Sequence, residues 1–170
     1  LRGAVLLPSD YQPGKRYPLI VSIYGGERLS MLVNNFGVTP ITEDYMQLVA
    51  TRGLAVLVPD APQRVGTPML DLAKDVLPGV NKVIELGIAD PARLGIMGQS
   101  YGCISTLMIL AQTTRFKAAQ CSSGTSSLIS SVGILGGFGR DWALGQGKME
   151  GTPWQYLDQY IENSPYFYLD

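Results

Sequence analysis

The sequence predicts an α/β fold, a mostly parallel sheet with helices on both faces. Three observations carry this expectation. Residues 17–24 (YPLIVSIY) and 54–58 (LAVLV) are short, unbroken apolar runs rich in β-branched residues, the texture of strands buried on both faces. Segments of helical spacing alternate with them, and such strand–helix–strand crossovers are right-handed and make neighbouring strands parallel. Finally, residues 94–102 join an apolar run directly to a helical stretch through Gly98-x-Ser100-x-Gly102, the order of a nucleophile elbow.

In chain order, residues 3–8 are a short apolar run before the turn formers of 9–15, and read as an edge strand. The central strand 17–24 runs straight into Gly25-Gly26, a pair that lets the backbone turn sharply beside a ligand. Tyr24 projects a hydroxyl from that strand end, with packing against a loop as its competing role. Residues 27–40 hold turn formers without a period and read as a long loop. Ile41, Tyr45, Leu48 and Val49 share a helical face that stops at Gly53. After the strand 54–58, Arg64 reads as a solvated charge. Residues 69–86 read as a helix that Pro78-Gly79 should kink or divide. Residues 87–91 read as a turn into the elbow strand, 104–111 as a helix and 116–122 as a fourth strand of the parallel set. The stretch 123–139 is loop-like in texture, and 152–160 reads as a short helix. Trp142 and Trp154 are expected as core or cap residues, since no basic stripe accompanies them as in a base-stacking surface.

The elbow is where the chemistry concentrates. A strand ending directly in a helix leaves Ser100 on a strained turn, and glycines two before and two after it remove Cβ clashes. The helix N-terminus beneath the serine offers free N–H groups and partial positive charge, which favour an oxyanion. A serine hydroxyl needs a base near neutral pH, in this architecture a histidine held by a carboxylate. The 170 residues contain no histidine, so this chain cannot supply that base.

Composition sets the remaining bounds. A net charge of -1 gives no electrostatic argument for nucleic acid or an anionic membrane surface. No apolar run approaches the roughly 20 residues that span a bilayer. Cys103 and Cys121 do not make a disulfide framework and read as buried free thiols. The sequence opens at Leu1 without a methionine and stops at Asp170, so the expectation is a piece of a longer protein whose exposed sheet edge could self-associate. The compartment is not legible, with the cytoplasm as default.

The landmarks Tyr17-Pro18-Leu19-Ile20-Val21-Ser22-Ile23-Tyr24-Gly25-Gly26, Asp90-Pro91-Ala92-Arg93-Leu94-Gly95-Ile96-Met97-Gly98-Gln99-Ser100-Tyr101-Gly102, Gly151-Thr152-Pro153-Trp154 and Glu162-Asn163-Ser164-Pro165 together resemble the prolyl oligopeptidase family of serine peptidases. The likeness is to the catalytic domains of its dipeptidyl and acylaminoacyl peptidase branches. It implies an α/β-hydrolase fold in which residues 1–170 are the N-terminal and central part of one catalytic domain, with the acid and histidine strands following. Asp170 falls too early to be the acid. The resemblance further implies a peptide or small acyl substrate, cleavage through an acyl-enzyme on Ser100, no cofactor or metal, and a β-propeller preceding the domain. Ser100 would be the nucleophile, with the Tyr101 backbone N–H and the Tyr24 hydroxyl forming the oxyanion hole. Two departures stand out. Cys103 replaces a common glycine, and the region after Thr125 lacks the paired tyrosines of the proline-specific branch. Leu128, Ile129, Val132, Ile134 and Leu135 stand there instead, which suits an apolar P1 side chain and gives no support to proline specificity. An esterase or lipase-like hydrolase of the same fold, and a non-catalytic binding module derived from one, are the alternative readings.

Overall fold

The computed structural model describes residues 2–34, 46–134 and 136–169. Five strands, β1 (Gly3–Leu6), β2 (Tyr17–Ser22), β3 (Ala55–Pro59), β4 (Ala89–Gln99) and β5 (Ala118–Ser122), form one sheet in the order β1-β3-β2-β4-β5. β1 is an antiparallel edge strand against β3, and the other pairings are parallel. Among the described residues, six α-helices accompany them: α1 (Met46–Ala50), α2 (Leu72–Glu85), α3 (Tyr101–Gln112), α4 (Leu128–Ile134), α5 (Gly137–Leu144) and α6 (Leu157–Glu162).

Every residue of β3 is buried, and alternate side chains feed two cores. Val56 and Val58 pack with Met46 and Ala50 of α1 on one face. Ala55 and Leu57 join the larger core on the other, with Val76, Val80 and Val83 of α2 and Ile104, Met108 and Ile109 of α3. Helices therefore cover both faces, as the unbroken apolar runs require. Met46 and Ala50 make the buried face of α1, whereas Leu48 is exposed; Ile41 and Tyr45 of the expected helix lie outside the described residues.

Several expectations are corrected. Pro78 neither divides nor stops α2, which runs unbroken through it. A Cβ at Gly79 would meet the Leu57 side chain at 3.3 Å, so this glycine lets the helix lie close on β3, and burial of the valine face compensates for the hydrogen bond that proline removes. β4 begins at Ala89 and not beyond a turn: Tyr17 pairs with Ala89 and Leu19 with Leu94, so residues 90–93 bulge out. Asp90 stabilises the bulge by accepting from the Ala92 amide at 2.9 Å and from Arg93 Nε at 2.7 Å, while Arg93 Nη2 donates to the Arg16 carbonyl at 3.2 Å. The loop texture of 123–139 hides α4 and α5. A Cβ at Gly139 would lie 2.1 Å from the Val132 carbonyl oxygen, so that glycine marks where two helices touch, not where one ends. The last helix starts at Leu157, after a turn at 152–156. Trp142 is half-buried against the core, but Trp154 is 85% exposed and is neither core nor cap.

The Asn163-Ser164 pair has a structural role. Both side chains are fully buried. Asn163 donates to the carbonyls of Gly66 and Gln159 and accepts from the Met69 amide at 2.9 Å. Ser164 donates to the Tyr160 carbonyl and accepts from the Leu128 amide. Together they fasten the C-terminal helices to the loop before α2.

Candidate active site

β2 and β4 are neighbours, and the chain leaves both at the same edge of the sheet: β2 into Tyr24-Gly25-Gly26, β4 into Ser100 and α3. Ser100 has φ 55° and ψ -117°, a conformation that costs a non-glycine residue on the order of 1–3 kcal/mol. The neighbouring glycines make the turn possible. A Cβ at Gly98 would sit 2.2 Å from the Gly102 carbonyl oxygen, and one at Gly102 would sit 2.4 Å from the Ile23 carbonyl oxygen. On the far side the Ser100 amide donates to the Ser122 carbonyl at 2.8 Å, tying the elbow to the end of β5. Ser100 itself is exposed. The amide of Tyr101, in the first turn of α3, belongs to the group that a helix leaves without an internal acceptor.

Tyr24 lies beside this turn. Its ring is 6.0 Å from that of Tyr101, and its Cδ2 would be 3.3 Å from a Cβ at Gly102. Gln146 Nε2 donates to the Tyr24 hydroxyl oxygen at 2.7 Å, and Gln146 Oε1 accepts from Trp142 Nε1 at 2.8 Å. The indole can only donate, which fixes the orientation of the amide. The Tyr24 oxygen is thus used as an acceptor, and among the described residues its proton has no acceptor. Trp142 also meets Tyr101 edge-on at 6.1 Å. Sequence reading finds Ser100, Tyr101 and Tyr24, and the structure places all three around one turn. It misses Gln146, a polar residue in a glycine-rich segment with no motif around it.

The Tyr101 side chain points away into the core and is 1% exposed. Burial pushes its phenol far above the usual tyrosine value, with a smaller opposing contribution from the Gln63 side chain beside it. That neighbour does not reach hydrogen-bonding geometry, and the Tyr101 hydroxyl and both polar atoms of the Gln63 amide are without a direct partner. The phenol therefore stays protonated at ordinary pH.

A cavity of about 430 Å³ opens beside Ser100. Ile104, Ile134, Phe138 and Trp142 supply its apolar wall, and none of its lining residues is charged. Five residues are expected to shape a pocket here, and among those of them that are described only Ile134 does so. Leu128 is fully buried in the core, Ile129 and Val132 line a separate groove with Trp154, and Leu135 lies outside the described residues. Phe138 and Trp142 enter through α5, the helix that glycine texture concealed.

Cys103 and Cys121 form a disulfide, with Cα atoms 4.6 Å apart, which corrects the reading of two free thiols. The crossover from α3 to β5 brings the first turn of the helix against the end of the strand, a proximity that a spacing of 18 residues does not reveal.

The prolyl oligopeptidase family model (peptidase S9) matches residues 71–170. Among curated relatives, the uncharacterised peptidase YuxL of Bacillus subtilis (strain 168) is 31% identical over 166 residues, 89% of this chain and 24% of that protein. The acylamino-acid-releasing enzyme of Arabidopsis thaliana is 34% identical over 130 residues, 71% of this chain and 16% of that protein. An acylaminoacyl peptidase in complex with Z-Gly-Gly-Phe-chloromethyl ketone superposes with a TM-score of 0.73 at 27% identity, covering 98% of this chain and 27% of that one. A dipeptidyl peptidase 4 from Porphyromonas gingivalis, at 20% identity and a TM-score of 0.70, shares the fold. The chain thus spans about a quarter of the length of the first of these relatives and of the acylaminoacyl peptidase structure.

Proposed function

Since this chain belongs to the prolyl oligopeptidase family of peptidases, with their α/β-hydrolase fold, we propose that it carries the nucleophile and oxyanion hole of a hydrolase that cleaves peptide bonds through an acyl-enzyme on Ser100. In this reading Ser100 Oγ attacks the scissile carbonyl carbon as its proton passes to a base. With no histidine among the 170 residues, that base comes from elsewhere in the parent protein. The negative charge that develops on the carbonyl oxygen is met by the Tyr101 N–H and the Tyr24 O–H. The observation that carries the reading is the exposed, strained Ser100 at a strand–helix junction, with an uncommitted tyrosine proton beside it.

The Gln146 bond deepens the role of Tyr24. Donation into the phenol oxygen strengthens the outward O–H as a donor, as hydrogen-bonded chains do, and holds the ring in place without consuming its proton. The acyl side chain would enter the cavity beside Ser100. An uncharged, apolar wall favours a bulky apolar P1 residue over a charged one, because a charge there would lose its water without gaining a partner.

The test uses the full-length protein. A fluorophosphonate probe should label the wild type and fail on Ser100→Ala, and turnover of aminoacyl and peptidyl amides should vanish with it. Tyr24→Phe should lower kcat by roughly 10²–10³ with KM little changed, since the bond forms only as charge develops. The isolated 170-residue chain should be silent, because loss of the base costs on the order of 10⁴–10⁶ in rate. Turnover that survives Ser100→Ala would refute the proposal.

A further inference from the structure

One buried hydroxyl joins the two halves of this site. Ser105 lies one turn into α3, fully buried. A serine inside a helix commonly donates to the carbonyl four residues back, and Ser105 Oγ does so to Tyr101 at 2.9 Å. The same oxygen also accepts the Gly25 amide at 3.2 Å, across 80 residues of sequence. It therefore binds, on one side, the residue whose amide faces the reacting carbonyl and, on the other, the peptide unit immediately following Tyr24.

We propose that Ser105 is a positioning residue for the oxyanion hole, fastening the Tyr24 turn to the nucleophile helix so that both donors keep one spacing. The proposal rests on the reading that Tyr24 donates to the oxyanion. The contact requires a group that donates and accepts at once within a very small space, which a hydroxyl provides and a methyl or a bulkier apolar side chain does not. Space at the seam is already exhausted: a Cβ at Gly25 would lie 2.8 Å from Ser105 Oγ, and Gly102 and Ile23 touch backbone to backbone. The next amide of the turn, Gly26, is held from the opposite side by the Ala61 carbonyl at 2.7 Å. With the Ser105 bond gone, Gly25 keeps a buried N–H with no partner, and the turn can pivot on Gly26, which swings the Tyr24 hydroxyl away from the carbonyl it serves.

A double-mutant cycle in the full-length protein tests this. Ser105→Ala should lower kcat roughly tenfold with KM within about twofold, the pattern of a lost transition-state contact. In the Tyr24→Phe background the same change should alter kcat by less than about twofold, because the donor that Ser105 positions is already absent. Ser105→Cys, nearly isosteric but with only a weak donor and acceptor, should lose part of the rate with Tyr24 present and little in the Tyr24→Phe background, and it carries the cycle if Ser105→Ala fails to fold on thermal melting. Equal losses in both backgrounds would show that Ser105 acts on stability or packing alone and would overturn the proposal, as would a folded Ser105→Ala enzyme of normal kcat. A Tyr24→Phe enzyme of normal kcat would overturn the oxyanion assignment itself, and the positioning role with it.

Discussion

Replacing Gly98 with alanine tests whether close packing at the elbow, and not backbone freedom, is what the two flanking glycines provide. The added methyl would sit 2.2 Å from the Gly102 carbonyl oxygen, 2.4 Å from its carbon and 2.9 Å from Thr106 Oγ1. Two of these obstacles are backbone, so no rotamer change relieves them. Restoring an ordinary carbon contact of about 3.5 Å requires the end of β4 and the start of α3 to separate by roughly 1 Å. In the proposed mechanism a shift of that size between Ser100 and the two oxyanion donors costs about 10²-fold in rate, and overpacking of this kind destabilises by about 1–3 kcal/mol. Gly133→Ala is the control, since a Cβ there meets nothing within 4 Å in α4 and should be neutral or slightly stabilising. The assays are kcat/KM on a chromogenic aminoacyl substrate and thermal melting, both on the full-length enzyme. A Gly98→Ala enzyme within about threefold of wild-type kcat/KM and with an unchanged melting temperature would refute the steric account.

Cys121→Ser, and reduction of the wild type, should each lower stability by about 3 kcal/mol, the chain-entropy value for a loop near 18 residues; denaturant midpoints that do not move would contradict it. Tyr101→Phe removes a buried hydroxyl with no direct partner, so stability should hold or rise by up to about 1 kcal/mol; a clear loss on melting would show that the oxygen is bonded, for instance through a buried water. The Ala92 amide and Arg93 hold the Asp90 carboxyl below its ordinary value of 3.8. A depressed carboxylate stabilises the fold above its unfolded value and loses that contribution as pH falls through the folded one. The stability difference between wild type and Asp90→Asn should therefore be present at about pH 6 and fade in acid; a difference that grows on acidification would reverse the sign of the argument.

How much of this was legible in the sequence depends on whether a signal is local. β2 and β3 are buried on both faces, so their apolar runs are unmistakable, and the elbow glycines surround the serine they serve. The roles that failed are those set by distant neighbours. Gly79 and Gly139 look like interruptions of a helix, yet each is small because another element passes against it. Trp154 looks like a core residue by type, and nothing near it in the chain says that it faces solvent. Gln146 and Ser105 reach Tyr24 and Gly25 across 122 and 80 residues, and the pairing of Cys103 with Cys121 depends on a crossover that spacing does not describe.

The place of β2 between β3 and β4 also orders events in time. Val21 meets Leu57 across roughly 35 residues and Ile96 across roughly 75, so closing the second ladder costs only about 0.7 kcal/mol more in chain entropy. Synthesis imposes the stricter sequence, since β2 and β3 can pair while β4 is still being made. The elbow takes its final form only once Ser122 is present to accept the Ser100 amide. A chain leaving the ribosome thus has no finished Ser100 turn until the fifth strand has emerged, by which point α3 and four of the sheet's strands are already available to hold it.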